Sequence, residues 1–367
     1  MRTVFVIPDF RADTPTHFHY IYELVRAIAQ NADIFLIIEK GDSPDFLPKN
    51  KFYVQKFRFL PLRIIENLSV IFYARALGYK DFYIHYSFLS AFNSSLVVKI
   101  FGGRTFYWNC GLPWLYQRNF LRDSFERSVY RLVTFLVTGT EKLKNQYAEH
   151  YHLPLMKIKV MPNWVDVNRF SQKSGEERNL KLQLNIPESA KIILFVHHLS
   201  KRKGAHYLPE IVKLLRDENV VLLIAGEGPE QEKLKAESER LKVSDMVRFL
   251  GCVPNKEIQN YFGIADVFIL PSEEEGFPHV LLEAMAASVP FVAFDVGGVR
   301  EIIPPEFIDY LVPKNEIAIF SNKIKELLNK EAKDLADLKQ SELSWVRQFD
   351  IYNASRKFQE LLTNVAE

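Results

Sequence analysis

Strand-length apolar runs alternate with helix-period segments along this whole chain, and no other feature constrains the fold as strongly. Val4–Ile7, Ile34–Ile38, Phe52–Phe59, Phe82–His85, Thr105–Trp108, Leu132–Thr138 and Ile158–Met161 read as strands. Between them Thr16–Gln30, Ile64–Leu77, Leu89–Phe101, Leu121–Arg131 and Glu141–His150 read as helices. In the first of these Phe18, Ile21, Leu24, Val25 and Ile28 recur at helical spacing. The alternation resumes at Lys191–Val196 and runs through Val220–Ala225, Met246–Gly251, Ala265–Leu270 and Phe291–Asp295. Helices near Glu316–Asn329, Ala332–Phe349 and Ile351–Val365 end it. This pattern predicts an α/β chain with mostly parallel sheets, helices on both faces and ligands at the carboxyl ends of the strands. A chain of 367 residues holds two or three such domains.

Other function classes are disfavoured by composition. Lys and Arg total 47 against 45 Asp and Glu, so no global field draws in nucleic acid. Two cysteines, Cys110 and Cys252, make neither a disulfide framework nor a zinc spacing, and suit a reducing compartment. Met1–Phe10 reads as a first buried strand rather than a signal peptide, because Pro8-Asp9 ends a short apolar run. No segment approaches the ~18 apolar residues that cross a bilayer. A cytoplasmic location is expected, either free or peripheral on the inner face of the cytoplasmic membrane.

The chemistry concentrates in Ser272-Glu-Glu-Glu275-Gly-Phe-Pro-His-Val-Leu-Leu-Glu283-Ala-Met-Ala286. It follows a buried-strand pattern and runs into a helix from about His279. Glu275 falls in the strand-to-helix loop, and Glu283 on the first or second turn among apolar residues. A new helix offers free backbone N–H groups to an anion, and a carboxylate beside it accepts hydrogen bonds from sugar hydroxyls. One loop can therefore hold the phosphates and both sugars of a nucleotide-sugar. The bland alternative is an acidic loop before an ordinary amphipathic helix. A dinucleotide-binding oxidoreductase is disfavoured, since Gly226-Glu-Gly228-Pro229 lacks the third glycine of Gly-x-Gly-x-x-Gly.

The Glu275-x7-Glu283 stretch resembles the motif of retaining glycosyltransferases of family 4, and the flanking segments extend the likeness. Asn163-Trp164-Val165-Asp166 through Phe170 resembles the family's Asn-Gly-Val-Asp-x-x-x-Phe signature, with Trp164 in the place of glycine. His197-His198-Leu-Ser-Lys-Arg-Lys203-Gly204 stands where members carry Gly-Arg-x4-Lys-Gly: Lys203 and Gly204 match, while His197 and His198 depart. Gly226-x-Gly228-Pro229 and Val296-Gly297-Gly298 through Glu301 match further turns. The likeness is specific from Lys191 to Ile303 and looser before Asn163.

The resemblance implies the GT-B architecture. Two Rossmann-like doubly wound domains would face an interdomain cleft, and a C-terminal helix would cross back to the first domain. Residues 1–170, with about 350–367, would form the acceptor-side domain. Residues 171–188 would form a linker, and 189–349 the nucleotide-sugar-binding domain. It further implies a retaining transfer from a nucleotide-diphosphate sugar to a glycan or lipid-linked acceptor, with no other cofactor. Glu283 would accept hydrogen bonds from the ribose, and Glu275 would contact the transferred sugar. Backbone near Gly276, Phe277, His279 and Val280 would face the sugar or phosphates. Lys203 would stabilise the leaving diphosphate, with Arg202, Lys201 or His198 in place of the lost arginine. Gly226 and Gly228 would lie beside the nucleotide, and Val253 would edge the base. No Asp-x-Asp triplet occurs, so no metal site is expected.

Departures cluster in the first half. Pro15-Thr16 replaces a common Gly-Gly pair, which bears on Thr16 as a phosphate contact. His17 and His19 lack a third metal ligand and read as surface residues at a helix start. Asn109 stands where members often have a histidine; it can hydrogen-bond a hydroxyl but cannot carry a proton. His85 is a substitute candidate, or a buried, hydrogen-bonded core histidine. Phe106–Arg131 interleaves aromatics with Arg118, Arg122, Arg127 and Arg131. It reads either as an anionic-membrane contact or as a core helix with a solvated basic edge. These departures keep two other readings open: a non-catalytic nucleotide-sugar or glycan binder, and a nucleotide-sugar hydrolase or epimerase.

Overall fold

The structure, a computed structural model, describes residues 2–11, 18–172, 175 and 177–363. The chain divides into two units. Residues up to Asn163 join the segment from Ile351 onward in unit 1, and Trp164–Asp350 forms unit 2.

Unit 1 runs β1 (Arg2–Ile7), α1 (Phe18–Ala29), β2 (Asp33–Ile38), β3 (Phe52–Val54), α2 (Leu60–Ala76), β4 (Asp81–His85), α3 (Phe88–Phe101), β5 (Arg104–Trp108), α4 (Phe120–Leu132), β6 (Phe135–Thr138), α5 (Glu141–Tyr151) and β7 (Ile158–Val160). All seven strands are parallel, in the order β3-β2-β1-β4-β5-β6-β7. β1 is buried on both faces, as its unbroken run Val-Phe-Val-Ile requires of a central parallel strand. Ile21, Leu24, Val25 and Ile28 are the buried face of α1, as their spacing predicts.

Unit 2 continues with α6 (Val167–Ser171), α7 (Glu177–Gln183), β8 (Lys191–Val196), α8 (Leu208–Leu214), β9 (Val220–Ala225), α9 (Gln231–Arg240), β10 (Val247–Gly251), α10 (Asn255–Ile264), β11 (Val267–Leu270), α11 (His279–Ala286), β12 (Phe291–Phe294), α12 (Val299–Ile302), β13 (Leu311–Val312), α13 (Ile317–Leu328) and α14 (Ala332–Val346). Its parallel sheet has the order β10-β9-β8-β11-β12-β13. The last helix, α15 (Ile351–Thr363), belongs to unit 1. There Phe358 is fully buried against Phe5 and Tyr83, with ring centroids 5.5 and 4.8 Å apart.

Five local expectations are revised. β3 ends at Val54 rather than Phe59, because the Glu66 carboxylate takes the N–H groups of Lys56 and Phe57 at 2.8 and 3.1 Å and pulls them from the sheet. α2 begins at Leu60 instead of Ile64, with Pro61 in its first turn, where a missing N–H costs nothing. Leu132 closes α4 rather than opening β6. Two residues, Leu311 and Val312, add an edge strand to β12 that no periodicity could signal. Within 171–188 the chain forms α7, and Leu180, Leu184 and Ile186 pack on the core of unit 2.

Each sheet has one point where the strand order reverses: between β1 and β4 in unit 1, and between β8 and β11 in unit 2. Loops leaving the two strands at such a point diverge and open a crevice at their carboxyl ends. In unit 2 those loops are His197–Gly204 and Pro271–Pro278.

Candidate functional site

The loop after β8 closes with a tight turn at Lys201–Lys203 that Gly204 ends at φ +70°. A Cβ on Gly204 would stand 1.7 Å from the Pro271 carbonyl oxygen. The backbone after β11 is therefore in direct contact with the loop, and the Glu273 N–H donates to the Arg202 carbonyl at 2.9 Å. From the other side Gly297, at φ +55°, lies so close that its Cβ would be 1.6 Å from the Glu275 carbonyl oxygen. Glycine is required at both positions for φ and for space. The two turns fix the backbone of Ser272–Glu275 and with it the direction of Glu275.

The Glu275 carboxylate accepts a hydrogen bond from the Lys203 ammonium at 2.7 Å, with the side chains 5% and 8% exposed. The ring of His197 approaches the same oxygen, Nε2 to Oε1, at 3.4 Å. The His198 N–H donates to His197 Nδ1 at 2.9 Å, which assigns the remaining ring proton to Nε2, facing Glu275. Burial, reinforced by the Lys203 charge, lowers the His197 pKa to about 4, so the ring is neutral at pH 7. Burial alone would raise Glu275, but the Lys203 ammonium and the His197 hydrogen bond hold its carboxyl well below the usual carboxylate range. The result is a buried anion between a cation and a neutral donor.

The chain then turns into α11. Pro278 precedes the helix, and every residue from Val280 to Ala286 is buried, Glu283 included. Glu283 sits on the second turn, as its spacing predicts. His279 is half-buried: its Nδ1 lies 3.2 Å from the Trp164 carbonyl oxygen and its ring meets the Trp164 edge at 6.0 Å. Trp164 thus fills space beside the start of α11, where the resembling signature has glycine. Phe277 is buried edge-on to Phe349, and Gly276 is half-buried.

Other predicted positions fall as follows. Arg202 is exposed, and its carbonyl accepts from the Glu273 N–H. His198 is exposed, and it is His197, not His198, whose ring reaches Glu275. A Cβ on Gly226 or Gly228 would stand 2.0 or 2.4 Å from the carbonyl oxygens of His197 or Leu199, so this turn packs directly on the loop that carries His197. Val253 is half-buried against the unit 2 core. In unit 1 Asn109 ends β5, and its carboxamide is engaged at both ends: Nδ2 donates to the Tyr130 hydroxyl at 3.1 Å, and Oδ1 accepts from the Gly111 N–H at 2.9 Å. Thr16 and His17 lie outside the described residues, while His19 pairs with Glu23 at 2.8 Å. His85 is fully buried, but not hydrogen-bonded as expected. Both ring nitrogens lack partners among the described residues, and the ring stacks between Phe5 and Trp108 at 5.3 and 4.7 Å.

Two residues of the site escaped sequence reasoning. His197 was visible only as a departure from glycine; its signal was its position, one residue past the strand that ends at the crevice. Glu273 accepts hydrogen bonds from the Tyr207 hydroxyl at 3.0 Å and Lys314 at 3.1 Å, holding the same loop from below. Lys314 lies too far away in sequence to be paired with it by spacing.

Two parallel Rossmann-like sheets with a final helix returned to the first unit constitute a GT-B fold. Residues 176–343, within unit 2, match the model of the family glycosyl transferases group 1. Among curated proteins the chain is similar to an uncharacterized glycosyltransferase of Methanocaldococcus jannaschii, 35% identical over 188 residues, 50% of this chain and 48% of that one. It is also similar to the 2-deoxystreptamine glucosyltransferase of Streptomyces kanamyceticus, 27% identical over 238 residues, 64% of this chain and 62% of that one. The matched segments span less than two thirds of either relative's length. Among solved structures, the Anabaena protein Alr3699/HepE in complex with UDP and glucose aligns over 100% of both chains, with a TM-score of 0.80 and 18% identity. A glycosyltransferase from Rickettsia africae aligns over 99% of this chain and 98% of its own, with a TM-score of 0.81 and 18% identity.

Proposed function

We propose that this protein is a retaining glycosyltransferase of family 4 type, moving a sugar from a nucleotide-diphosphate sugar to a glycan or lipid-linked acceptor. The observation that carries the reading is the buried Lys203–Glu275 pair at the strand-order reversal of unit 2, beside the start of α11. The roles follow from chemistry. As the glycosidic bond breaks, negative charge grows on the diphosphate, and an ammonium fixed in a low-dielectric site stabilises it more than it stabilises the ground state. Glu275 holds one Lys203 proton and leaves two for phosphate oxygens. The second oxygen of Glu275 accepts from a hydroxyl of the transferred sugar. Glu283 accepts from the ribose hydroxyls. Backbone of Gly276, Phe277, His279 and Val280 faces the donor; Pro278 has no N–H to offer. Charge neutralisation by Lys203 and the helix start replaces a metal bridge, and same-face attack assisted by the leaving phosphate gives retention.

UDP-glucose is the first donor to test, because the Anabaena neighbour is solved in complex with it. Calorimetric titration of the chain with UDP-glucose, GDP-mannose and their relatives tests the reading. Saturable binding that Glu283→Ala weakens supports it, and no binding of any sugar nucleotide sinks it. The exposed His198 and the Asn109 carboxamide, bonded at both ends within unit 1, favour one rival, binding without transfer. Donor binding with neither hydrolysis nor transfer across an acceptor panel would establish that rival.

A further inference from the structure

Helices α2 and α3 of unit 1 bury polar groups beside apolar ones and leave large apolar side chains outside. The inward side of α2 carries Glu66 and Asn67 among its buried residues, and that of α3 carries Ser90, Asn93, Ser94 and Ser95. Three of them, Asn67, Ser90 and Asn93, bond to one another across the helix pair, while Glu66 bonds to β3 and the segment after it. Asn67 donates to the Ser90 hydroxyl at 2.9 Å, Asn93 donates to Asn67 at 2.8 Å, and Tyr53 donates to Glu66 at 2.9 Å.

The outward row of α2 is Leu62, Ile65, Ser69, Phe72, Tyr73 and Ala76, all exposed and none charged. Ile65 is 61% and Phe72 50% exposed. Phe72 meets Phe101 of α3 edge to face at 5.3 Å, which joins the row to Ile100 and Phe101. On the far side of α3, Phe125 of α4 contacts Phe92 at 5.5 Å, and Phe120 is 83% exposed. A solvent-facing helix layer normally shows the opposite distribution.

The charge around this face decides what covers it. Residues 56–132 carry eleven Lys and Arg against four Asp and Glu, a net of +7 in a chain whose total is +2, of which Glu39 outside the stretch offsets one by pairing with Arg63. All four acids are spent internally. Glu66 is buried on backbone amides, Asp81 pairs with Arg104, Asp123 with Arg127, and buried Glu126 with Arg118 and Arg122. A second copy docking face to face would set like charge on like. An anionic surface with an apolar interior matches both features. Of the stretch Phe106–Arg131 that the sequence offers for such a contact, Phe106, Tyr107, Trp108 and Tyr130 are buried, while Leu115, Tyr116, Phe120, Leu121 and Phe125 are exposed.

We propose that the outer face of α2, α3 and α4 docks unit 1 on an anionic lipid bilayer. The α2 row and Phe101, Phe120 and Leu121 enter the headgroup–acyl boundary, while the surrounding basic side chains meet lipid phosphates. The test is flotation of the full chain with phosphatidylcholine vesicles, with and without phosphatidylglycerol, in the absence of any sugar nucleotide. Phosphatidylglycerol vesicles are expected to bind at least about tenfold better than neutral ones, and less so as salt is raised. Ile65→Ser with Phe72→Ser is expected to lower that binding at least about tenfold. Both side chains are exposed, so circular dichroism and Tm stay at wild-type values. Ile308→Ser with Ile319→Ser, also exposed but on unit 2, retains full binding. The proposal is overturned if the wild type floats with neither vesicle, or if the Ile65/Phe72 variant floats like wild type. It is also overturned if sedimentation shows a dimer that the variant dissolves while no vesicle binds.

Discussion

The Lys203 ammonium and the Glu275 carboxylate are 2.7 Å apart, and neither is more than a tenth exposed. Removing one partner of such a pair strands the other charge in low dielectric, whereas removing both does not. Lys203→Met is therefore expected to destabilise the fold by roughly 3–5 kcal/mol. Lys203→Met with Glu275→Gln should recover more than half of that. Urea unfolding of the two single variants and the double variant gives the coupling energy, and strictly additive losses would show that the pair does not act as a unit.

Glu283→Ala is expected to leave the fold intact and to weaken donor binding by about 10- to 100-fold, the loss of one hydrogen bond to a charged acceptor. Lys203→Ala should instead lower turnover more than donor affinity, if its ammonium acts on charge that develops in the transition state. Equal losses in the two quantities would make Lys203 a ground-state binding residue only.

Acid should destabilise the protein in steps. The folded His197 has a pKa of about 4 against an ordinary 6.5, lowered by burial and by Lys203. The buried His85 is lowered to about 3 by burial alone. As pH falls from 6.5, the unfolded chain takes up protons that the folded chain refuses, so stability drops across that window. Glu275, held low, acts in the same direction; its contribution is present above the ordinary carboxylate value and disappears as pH falls through its own. His85→Phe should flatten the slope of Tm between pH 6.5 and 4.5. The ring resonances of both histidines should stay unmoved between pH 7.5 and 5; titration of either near 6.5 would contradict the neutral assignment.

Buried Glu342 on α14 points the other way. Both its oxygens lack partners among the described residues, and burial raises its pKa well above the ordinary value. The cost of keeping it grows as pH rises through that value. Glu342→Gln should raise Tm by a few degrees at pH 8 and by less at pH 5. An equal gain at both would mean that the change comes from packing instead of charge.

Backbone contact makes Gly204 and Gly297 irreplaceable. Alanine at either meets a carbonyl oxygen closer than 2 Å, whereas at Gly102, also at positive φ, a Cβ meets nothing within 4 Å. Gly102→Ala should cost about 1 kcal/mol. Gly204→Ala and Gly297→Ala should each cost roughly 3 kcal/mol or more, and a donor-binding assay should lose signal in parallel with stability.

Alternating patterns told most about the sheets, because a central parallel strand such as β8 cannot be written except as a continuous apolar run. They told least about α2, where Glu66 and Asn67 face inward and Phe72 faces out, so that period alone assigns the wrong side. β3 was overextended because the carboxylate that ends it comes from a residue of the next helix. In the site, Lys203, Glu275 and Glu283 were legible as types at a spacing. The bond between Lys203 and Glu275 was not, since it joins residues that only the reversal of strand order brings together. His197 was hidden for the same reason.

Unit 1 is interrupted in sequence by the whole of unit 2. Phe5 and Tyr83 are covered by Phe358, and the Arg104 guanidinium donates to the Leu362 carbonyl at 2.7 Å, so the first unit is completed by residues that leave the ribosome after all of Trp164–Asp350. During synthesis the later-made unit can finish folding first, while the earlier one waits with an open apolar seam along β1 and β4. A stop codon at position 351 would leave unit 2 its full sequence and deprive unit 1 of the helix that covers Phe5 and Tyr83.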